Sequence, residues 1–235
     1  MRRLRWWGRG AAALAVLAVA GCSSADTASS PEQDKAPASS PAADDKAPGT
    51  RGLPGVPTAK EAQRRLSGLK AAPHGSMSGY SREKFPHWSA RGENCDTREK
   101  VLARAGTDVE RDAECRAVSG HWTSLYDDKA VTDASELDID HMVPLANAWR
   151  SGADDWPQNK RETFANDLTH PQLLAVTATT NRTKGDQGPE EWQPPSKPSW
   201  CTYARAWIAV KATYKLTVTR AEKAELGDML ETCDR

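Results

Sequence analysis

The sequence lacks several features that would decide its class at once. It has no excess of either charge, since 32 Lys and Arg residues balance 32 Asp and Glu residues, and this excludes nucleic-acid binding through a broad basic surface. It has neither a C-x-x-C pair nor the H-E-x-x-H motif of zinc hydrolases. Its apolar run at residues 11–20 is shorter than the ~20 residues that span a membrane.

The first residues have the pattern of an export signal. Four arginines precede the apolar run, which ends in the sequence V-A-G-C at residues 19–22, as in a lipoprotein signal peptide. We predict a signal peptide over residues 1–21, lipidation of Cys22 and anchoring to the outer face of the cell membrane, with release as a secreted protein as the alternative. Residues 22–55 are rich in Ser, Ala, Pro and Asp, which predicts a disordered tether. Residues 56–235 would form the domain, beginning with a helix capped by Thr58.

The four cysteines of the predicted domain form an even set. In an oxidising compartment such a set predicts two disulfides, for which four cysteines allow three connectivities. We predict Cys95–Cys115 and Cys201–Cys233, because each pair closes a local loop. A zinc site is the alternative, but no histidine accompanies these cysteines.

Two short segments contain the residue types that phosphodiester hydrolysis needs. Residues 138–144 read D-I-D-H-M-V-P, and residues 181–186 read N-R-T-K-G-D. A histidine such as His141 can take a proton from water, and carboxylate and amide oxygens can bind a hard divalent cation. A lysine such as Lys184 can neutralise a phosphate. These groups together predict a metal-dependent nuclease.

Hydrophobic patterns predict how the two segments meet. Residues 137–140 alternate between apolar and polar, which predicts a half-buried strand with both aspartates on one face. The apolar run at residues 173–176 predicts a second, buried strand, and the hydroxyls of residues 177–180 could cap a helix after it. On that helix Asn181 and Lys184 share a face until the next glycine ends it. The expected unit is strand, strand and helix around a polar cleft.

The combined pattern resembles the HNH endonuclease superfamily. It contains D-x-D-H-x-x-P, then L-L-A-V, then N-x-x-K-G-D. Phe164–Asp167 and Pro189–Trp192 resemble the secreted actinobacterial branch that is related to the C-terminal domain of GmrSD-type restriction endonucleases. The resemblance extends from about Tyr80 to Cys233. It implies an α+β fold in which a ββα-metal core, or His-Me finger, is embedded in a mainly helical, disulfide-stapled single domain.

By position, the resemblance also implies roles for four residues. His141 is expected to be the general base, and Asp140 and Asn181 are expected to bind one divalent metal ion, Mg²⁺ in preference to Mn²⁺. Lys184 is expected to lie near the phosphate. The expected substrate is DNA, cut with low sequence specificity, although RNA stays open, and the expected state is a monomer.

Two assignments stay open at this point. Asp138 shares the predicted face of Asp140, so it is either a second metal ligand or a carboxylate that faces solvent or supports a turn. Many members of the superfamily carry an asparagine where this chain has Gln172, and that residue holds the loop bearing the histidine. Gln172, Asn166 and His170 are all candidates for this role.

The function has two alternatives, an inactive nucleic-acid-binding module and a cell-wall hydrolase. Oxygen ligands favour magnesium or manganese over zinc, which counts against the hydrolase. Without a broad basic surface, we expect weak, salt-sensitive DNA binding by a few local cations, for which the candidates are Lys160, Arg161, Arg182 and Lys184. The tryptophans are predicted to be mostly core residues, and the histidines other than His141 to be structural or exposed.

Overall fold

The structure, a computed structural model, describes residues 52–234. Helices and strands are mixed along this part of the chain, which gives the predicted α+β class. The helices are α1 (Ala59–Gly68), α2 (Thr97–Ala105), α3 (Leu145–Trp149), α4 (Gln158–Ala165), α5 (Ala178–Lys184), α6 (Trp200–Tyr214) and α7 (Arg220–Leu230). The strands are β1 (Thr107–Arg111), β2 (Ala117–Thr123), β3 (Ala130–Val131), β4 (Leu137–His141) and β5 (Leu173–Thr177). The predicted signal peptide, Cys22 and most of the tether lie outside the described residues.

Helix α6 forms the centre of the main hydrophobic core, where it packs against α1 and α7. Helix α1 begins as predicted, since the Thr58 hydroxyl accepts a hydrogen bond from the backbone N–H of Glu61 at 3.2 Å. Leu53, which we assigned to the tether, is only 2% exposed in this core. The folded part therefore begins before residue 56. Between residues 52 and 234, no helix has both the length and the apolar composition needed to cross a membrane.

Both predicted disulfides are present in the structure. Cys95–Cys115 connects the segment before α2 to the segment before β2, where β1, β2 and β3 form an antiparallel sheet. Cys201–Cys233 connects the first turn of α6 to the turn that follows α7. Each bridge shortens the loops available to the unfolded chain and thereby stabilises the fold by roughly 3 kcal/mol.

Strands β4 and β5 pair in antiparallel register, with Asp138 opposite Val176 and Asp140 opposite Leu174. Opposite residues of such a pair lie on the same face of the sheet, so the prediction that both aspartates share a face is confirmed. Val176 and Leu174 belong to the main core, whereas Ile139 on the other face belongs to a second, smaller core. The hairpin therefore separates two cores, and its aspartates lie on the side of the main one.

Helix α5 follows β5 directly and ends where the sequence predicts. Gly185 stops it with a φ of 56°, a left-handed conformation that glycine adopts without strain. The predicted hydroxyl cap at the other end is wrong. The Thr177 and Thr180 hydroxyls donate to the carboxylate of Asp127, at 2.7 and 2.8 Å, and neither caps the helix. A charged acceptor forms the stronger hydrogen bond and so determines where both hydroxyls point.

Candidate functional site

A cleft of about 260 Å³ lies between β4, the loop that follows it and α5. Its walls include Asp140, His141 and Asn181, three of the four residues to which the sequence assigned the chemistry. Arg82, from the segment before α2, and Arg182 on α5 also line it. The fold thus brings the two motif segments together in one polar cleft.

The His141 side chain is held in one orientation inside the protein. It is 3% exposed, and its Nε2 lies 2.9 Å from the carbonyl oxygen of Ala165. A carbonyl can only accept, so Nε2 carries the proton and Nδ1 is the basic nitrogen. Burial lowers the pKa of His141 to about 3, against the opposing effect of the Ala165 carbonyl. The imidazole is therefore neutral at physiological pH, which is the form that accepts a proton.

Two aromatic side chains that the sequence did not single out lie against His141. The Trp88 ring stacks on the imidazole at a centroid distance of 5.9 Å and an angle of 26°. The His87 ring meets it edge-on at 6.2 Å. Their backbone is tied to Asn166, whose side chain accepts from the Ser89 N–H at 2.9 Å and donates to a neighbouring carbonyl. No local motif marks this loop, because the contact forms only through the tertiary fold.

Gln172 holds the backbone immediately after His141. Its fully buried side chain donates to the carbonyl of Val143 at 2.9 Å and accepts from the N–H of the same residue at 3.1 Å. Asn166 binds the loop beside His141 instead, and His170 pairs with Asp167 at 2.7 Å. Of the three candidates that the sequence left open, Gln172 is therefore the one that fixes the loop bearing the histidine.

Lys184, which is expected to lie near the phosphate, does not line the cleft. It is fully buried, and its ammonium donates to Asp140 Oδ2 at 2.6 Å and to the His141 carbonyl at 2.9 Å. Burial lowers the pKa of Lys184, while the Asp140 carboxylate acts in the opposite direction. A buried ammonium needs a nearby anion to offset the cost of its desolvation, and Asp140 supplies this anion.

Only one oxygen of the Asp140 carboxylate accepts hydrogen bonds from the described residues. Its Oδ2 accepts from Lys184 and from the Tyr126 hydroxyl at 2.5 Å. The pKa of Tyr126 is raised well above its usual value by burial, and the neighbouring carboxylate adds to this effect. Within residues 52–234, no group donates a hydrogen bond to Asp140 Oδ1. One oxygen is thus fixed by the protein, and the other is available on the cleft side.

The Asn181 amide is oriented by the second aspartate of β4. Asn181 Nδ2 donates to Asp138 Oδ2 at 3.1 Å, so the amide oxygen is directed away from that contact. In the described part of the chain, this oxygen receives no hydrogen bond. Asp138 does not line the cleft. Its position is that of a residue that orients Asn181.

The four cations predicted to bind DNA occupy different surroundings. Arg182 alone among them lines the cleft. The Arg161 guanidinium donates to carbonyl oxygens, including those of Lys84 and Trp156, and Lys160 lies over the Trp156 ring at 4.1 Å. Arg161 and Lys184 are therefore internal contacts of the fold and do not form part of a surface for nucleic acid.

A second group of metal-type ligands lies outside the cleft. Ligand atoms of His74, Glu190 and Glu222 are within 4.8 Å of one another. However, Glu222 already accepts from the Trp207 indole at 2.7 Å and pairs with the buried Lys211 ammonium at 3.0 Å. Its other oxygen accepts from the backbone N–H of Thr219 at 3.2 Å. Both Glu222 oxygens are therefore already hydrogen-bonded, whereas Asp140 keeps one oxygen without a donor among the described residues.

Comparison with known proteins gives a family and a relative for this chain. The relative from Arthroderma benhamiae called "Uncharacterized secreted protein" is 56% identical over 180 residues, which are 77% of this chain and 88% of the relative. The two disulfides of this chain fit an extracytoplasmic location. No solved structure matches the chain. Residues 96–229 match the model of the C-terminal domain of GmrSD restriction endonucleases, and the chain belongs to this family.

Proposed function

We propose that this protein is an extracytoplasmic, metal-dependent endonuclease that hydrolyses DNA with little sequence preference, in a ββα-metal core made of β4, β5 and α5. Membership of a family of restriction-endonuclease domains supports the nuclease class. One observation carries the proposal. A single cleft holds a neutral histidine beside a carboxylate oxygen and an amide oxygen that the described protein groups leave unbonded.

The oxygen donors of Asp140 and Asn181 fit a hard divalent cation such as Mg²⁺ or Mn²⁺. Lys184 and Tyr126 hold one Asp140 oxygen and so direct the other, while Asp138 directs the amide oxygen of Asn181. When bound there, the metal would stabilise the negative charge of the leaving oxygen. We assign Lys184 the role of positioning Asp140.

His141 is the proposed general base, acting through Nδ1 on a water molecule. The hydrogen bond from Nε2 to the Ala165 carbonyl fixes the tautomer and stabilises the imidazolium that forms after proton transfer. Burial keeps the imidazole neutral in the free protein. A phosphate anion in the cleft would raise the pKa of His141, so the base becomes stronger when substrate is bound. Gln172 keeps the backbone that carries this ring in place.

We also propose how the protein is exported and anchored. Residues 1–21 would be removed as a signal peptide, and Cys22 would carry lipid at the end of a tether. The disulfides require an oxidising compartment, which agrees with export. The protein would then act on DNA outside the cytoplasm as a monomer. Metabolic labelling with a fatty acid, compared between the wild type and Cys22→Ala, tests the anchor.

Plasmid nicking by the purified protein tests the proposed activity. Conversion of supercoiled to open-circular DNA should require Mg²⁺ or Mn²⁺ and should stop with chelator. DNA binding without any cleavage in either metal would instead show an inactive binding module. Release of peptidoglycan fragments without nicking would show the cell-wall hydrolase.

A further inference from the structure

A phosphate bound in the cleft needs a positive charge beside it, and Lys184 does not supply this charge. With the ammonium of Lys184 buried against Asp140, the positive charges at the walls are the guanidinium groups of Arg82 and Arg182. Both side chains are exposed. Within residues 52–234, neither guanidinium has a carboxylate at ion-pair distance. Both charges are therefore available to an anion in solution.

Arg82 lies in a turn that is anchored to the core. It begins a short 3-10 helix, and the next hydrophobic residue, Phe85, is completely buried against Trp149 and Phe164. Arg161 donates to the carbonyl of Lys84 at 3.1 Å and ties the turn to α4. Arg82 and His141 line the same cleft. A long, flexible side chain thus starts from a backbone that is fixed beside the base.

Arg82 also lies before the region that matches the family model. The match covers residues 96–229, whereas Tyr80, Arg82 and Trp88 reach the site from the preceding segment. The site of this protein is therefore completed by residues that precede the matched region of the chain.

We propose that Arg82 binds a backbone phosphate of the nucleic acid at the mouth of the cleft, across from Arg182. The inference rests on the proposed function, since it concerns the same cleft. A guanidinium offers two parallel N–H groups to a phosphate, which gives a stronger and more directed contact than an ammonium. Such a contact positions the strand without reading its bases.

Binding measured without cleavage tests this role. Fluorescence anisotropy of a labelled 20-base-pair duplex in chelator, followed across salt concentrations, would compare the wild type, Arg82→Ala and Arg82→Lys. Arg220→Ala is the matched control, because Arg220 is exposed on α7 and does not line the cleft. We expect Arg82→Ala to bind about tenfold more weakly, the usual loss of a charged hydrogen-bonded contact. Its salt slope should decrease by about one, because one phosphate contact is lost.

Arg82→Lys should restore the salt slope but only part of the affinity, since the charge remains and the paired N–H groups do not. In nicking assays, Arg82→Ala should raise KM while kcat changes little. Equal affinity and salt slope for Arg82→Ala and Arg220→Ala would overturn the role of Arg82, whether or not the wild type cuts. A wild type that binds through Arg82 but never cuts would overturn the nuclease proposal alone. A wild type that neither binds nor cuts would overturn both.

Discussion

Replacing Asp138 by alanine should weaken metal binding without removing a metal ligand. Asp138 does not line the cleft, but its Oδ2 accepts the hydrogen bond from Asn181 Nδ2 at 3.1 Å. Without this acceptor the amide can rotate, so its oxygen no longer points in one direction. The energetic cost then appears as lower metal affinity, because the bound state must order the amide again.

The size of the effect follows from the single hydrogen bond involved. A hydrogen bond to a charged group contributes ~1.5–3 kcal/mol, and loss of a partner behind a metal ligand typically costs ~10–100-fold in affinity. Asp138 is only half-buried, so we expect the lower end, about tenfold. Asp138→Asn is the matched control, since it keeps an oxygen acceptor. It should cost about threefold, because a neutral hydrogen bond is roughly half as strong.

Nicking rate titrated with Mg²⁺ and with Mn²⁺ measures the metal midpoint of each variant. Asp140→Ala and Asn181→Ala remove oxygen donors, so their midpoints should move further than that of Asp138→Ala, and excess metal should rescue part of the activity. His141→Ala should show no such rescue. An unchanged midpoint for Asp138→Ala would refute the orienting role. A larger shift for Asp138→Ala than for Asp140→Ala would make Asp138 the ligand.

Three further changes test other parts of the structure. His141→Ala should lower nicking by ~10²–10⁴-fold, whereas His121→Ala, an exposed histidine on β2, should leave it unchanged; equal rates in both variants would exclude His141 as the base. The folded pKa of His141, about 3, lies below its ordinary value of 6.5, so the unfolded chain takes up the proton first and stability falls as the pH decreases from about 6.5 towards 3. Urea unfolding should show that the unfolding free energy changes with pH by up to ~1.4 kcal/mol per pH unit, and this slope should be smaller in His141→Ala. An identical slope in the wild type and in His141→Ala would contradict a buried neutral imidazole. Gln172→Ala leaves the buried N–H and C=O of Val143 unpaired and should lower the unfolding free energy by about 2–4 kcal/mol. If this decrease is no larger than that of the exposed control Gln63→Ala, the two hydrogen bonds from Gln172 to Val143 do not hold the loop. Replacing Cys201 and Cys233 by alanine opens a loop with a sequence separation of 32 and should cost roughly 3–4 kcal/mol, and unchanged stability would contradict the bridge.

Local patterns in the sequence were sufficient for the hairpin and the helix of the site. Alternation over residues 137–140 reflects the two-residue period of a strand, and the continuous apolar run at residues 173–176 reflects a strand that is buried on both faces; neighbouring residues alone determine both patterns. The glycine after Lys184 ended α5 for an equally local reason. Cysteine spacing, together with the requirement for an even set, was sufficient for both bridges.

The partner of each polar group was decided only by the tertiary structure. Whether Lys184 meets a phosphate or Asp140 depends on how α5 packs on β4, and burial of its ammonium favours the carboxylate. Likewise, the Thr177 hydroxyl met a charged acceptor from a distant loop and did not form the cap that its position favours.

The contacts of His141 required the whole fold. Trp88 and Arg82 come from a segment more than fifty residues before it in the chain, and no periodicity links the two. The sequence by itself determined which groups could perform the chemistry, because that depends on residue type and on local geometry. Which of them face the cleft and which support it was decided by long-range packing, since a buried charge or hydroxyl takes the partner that the fold places within reach.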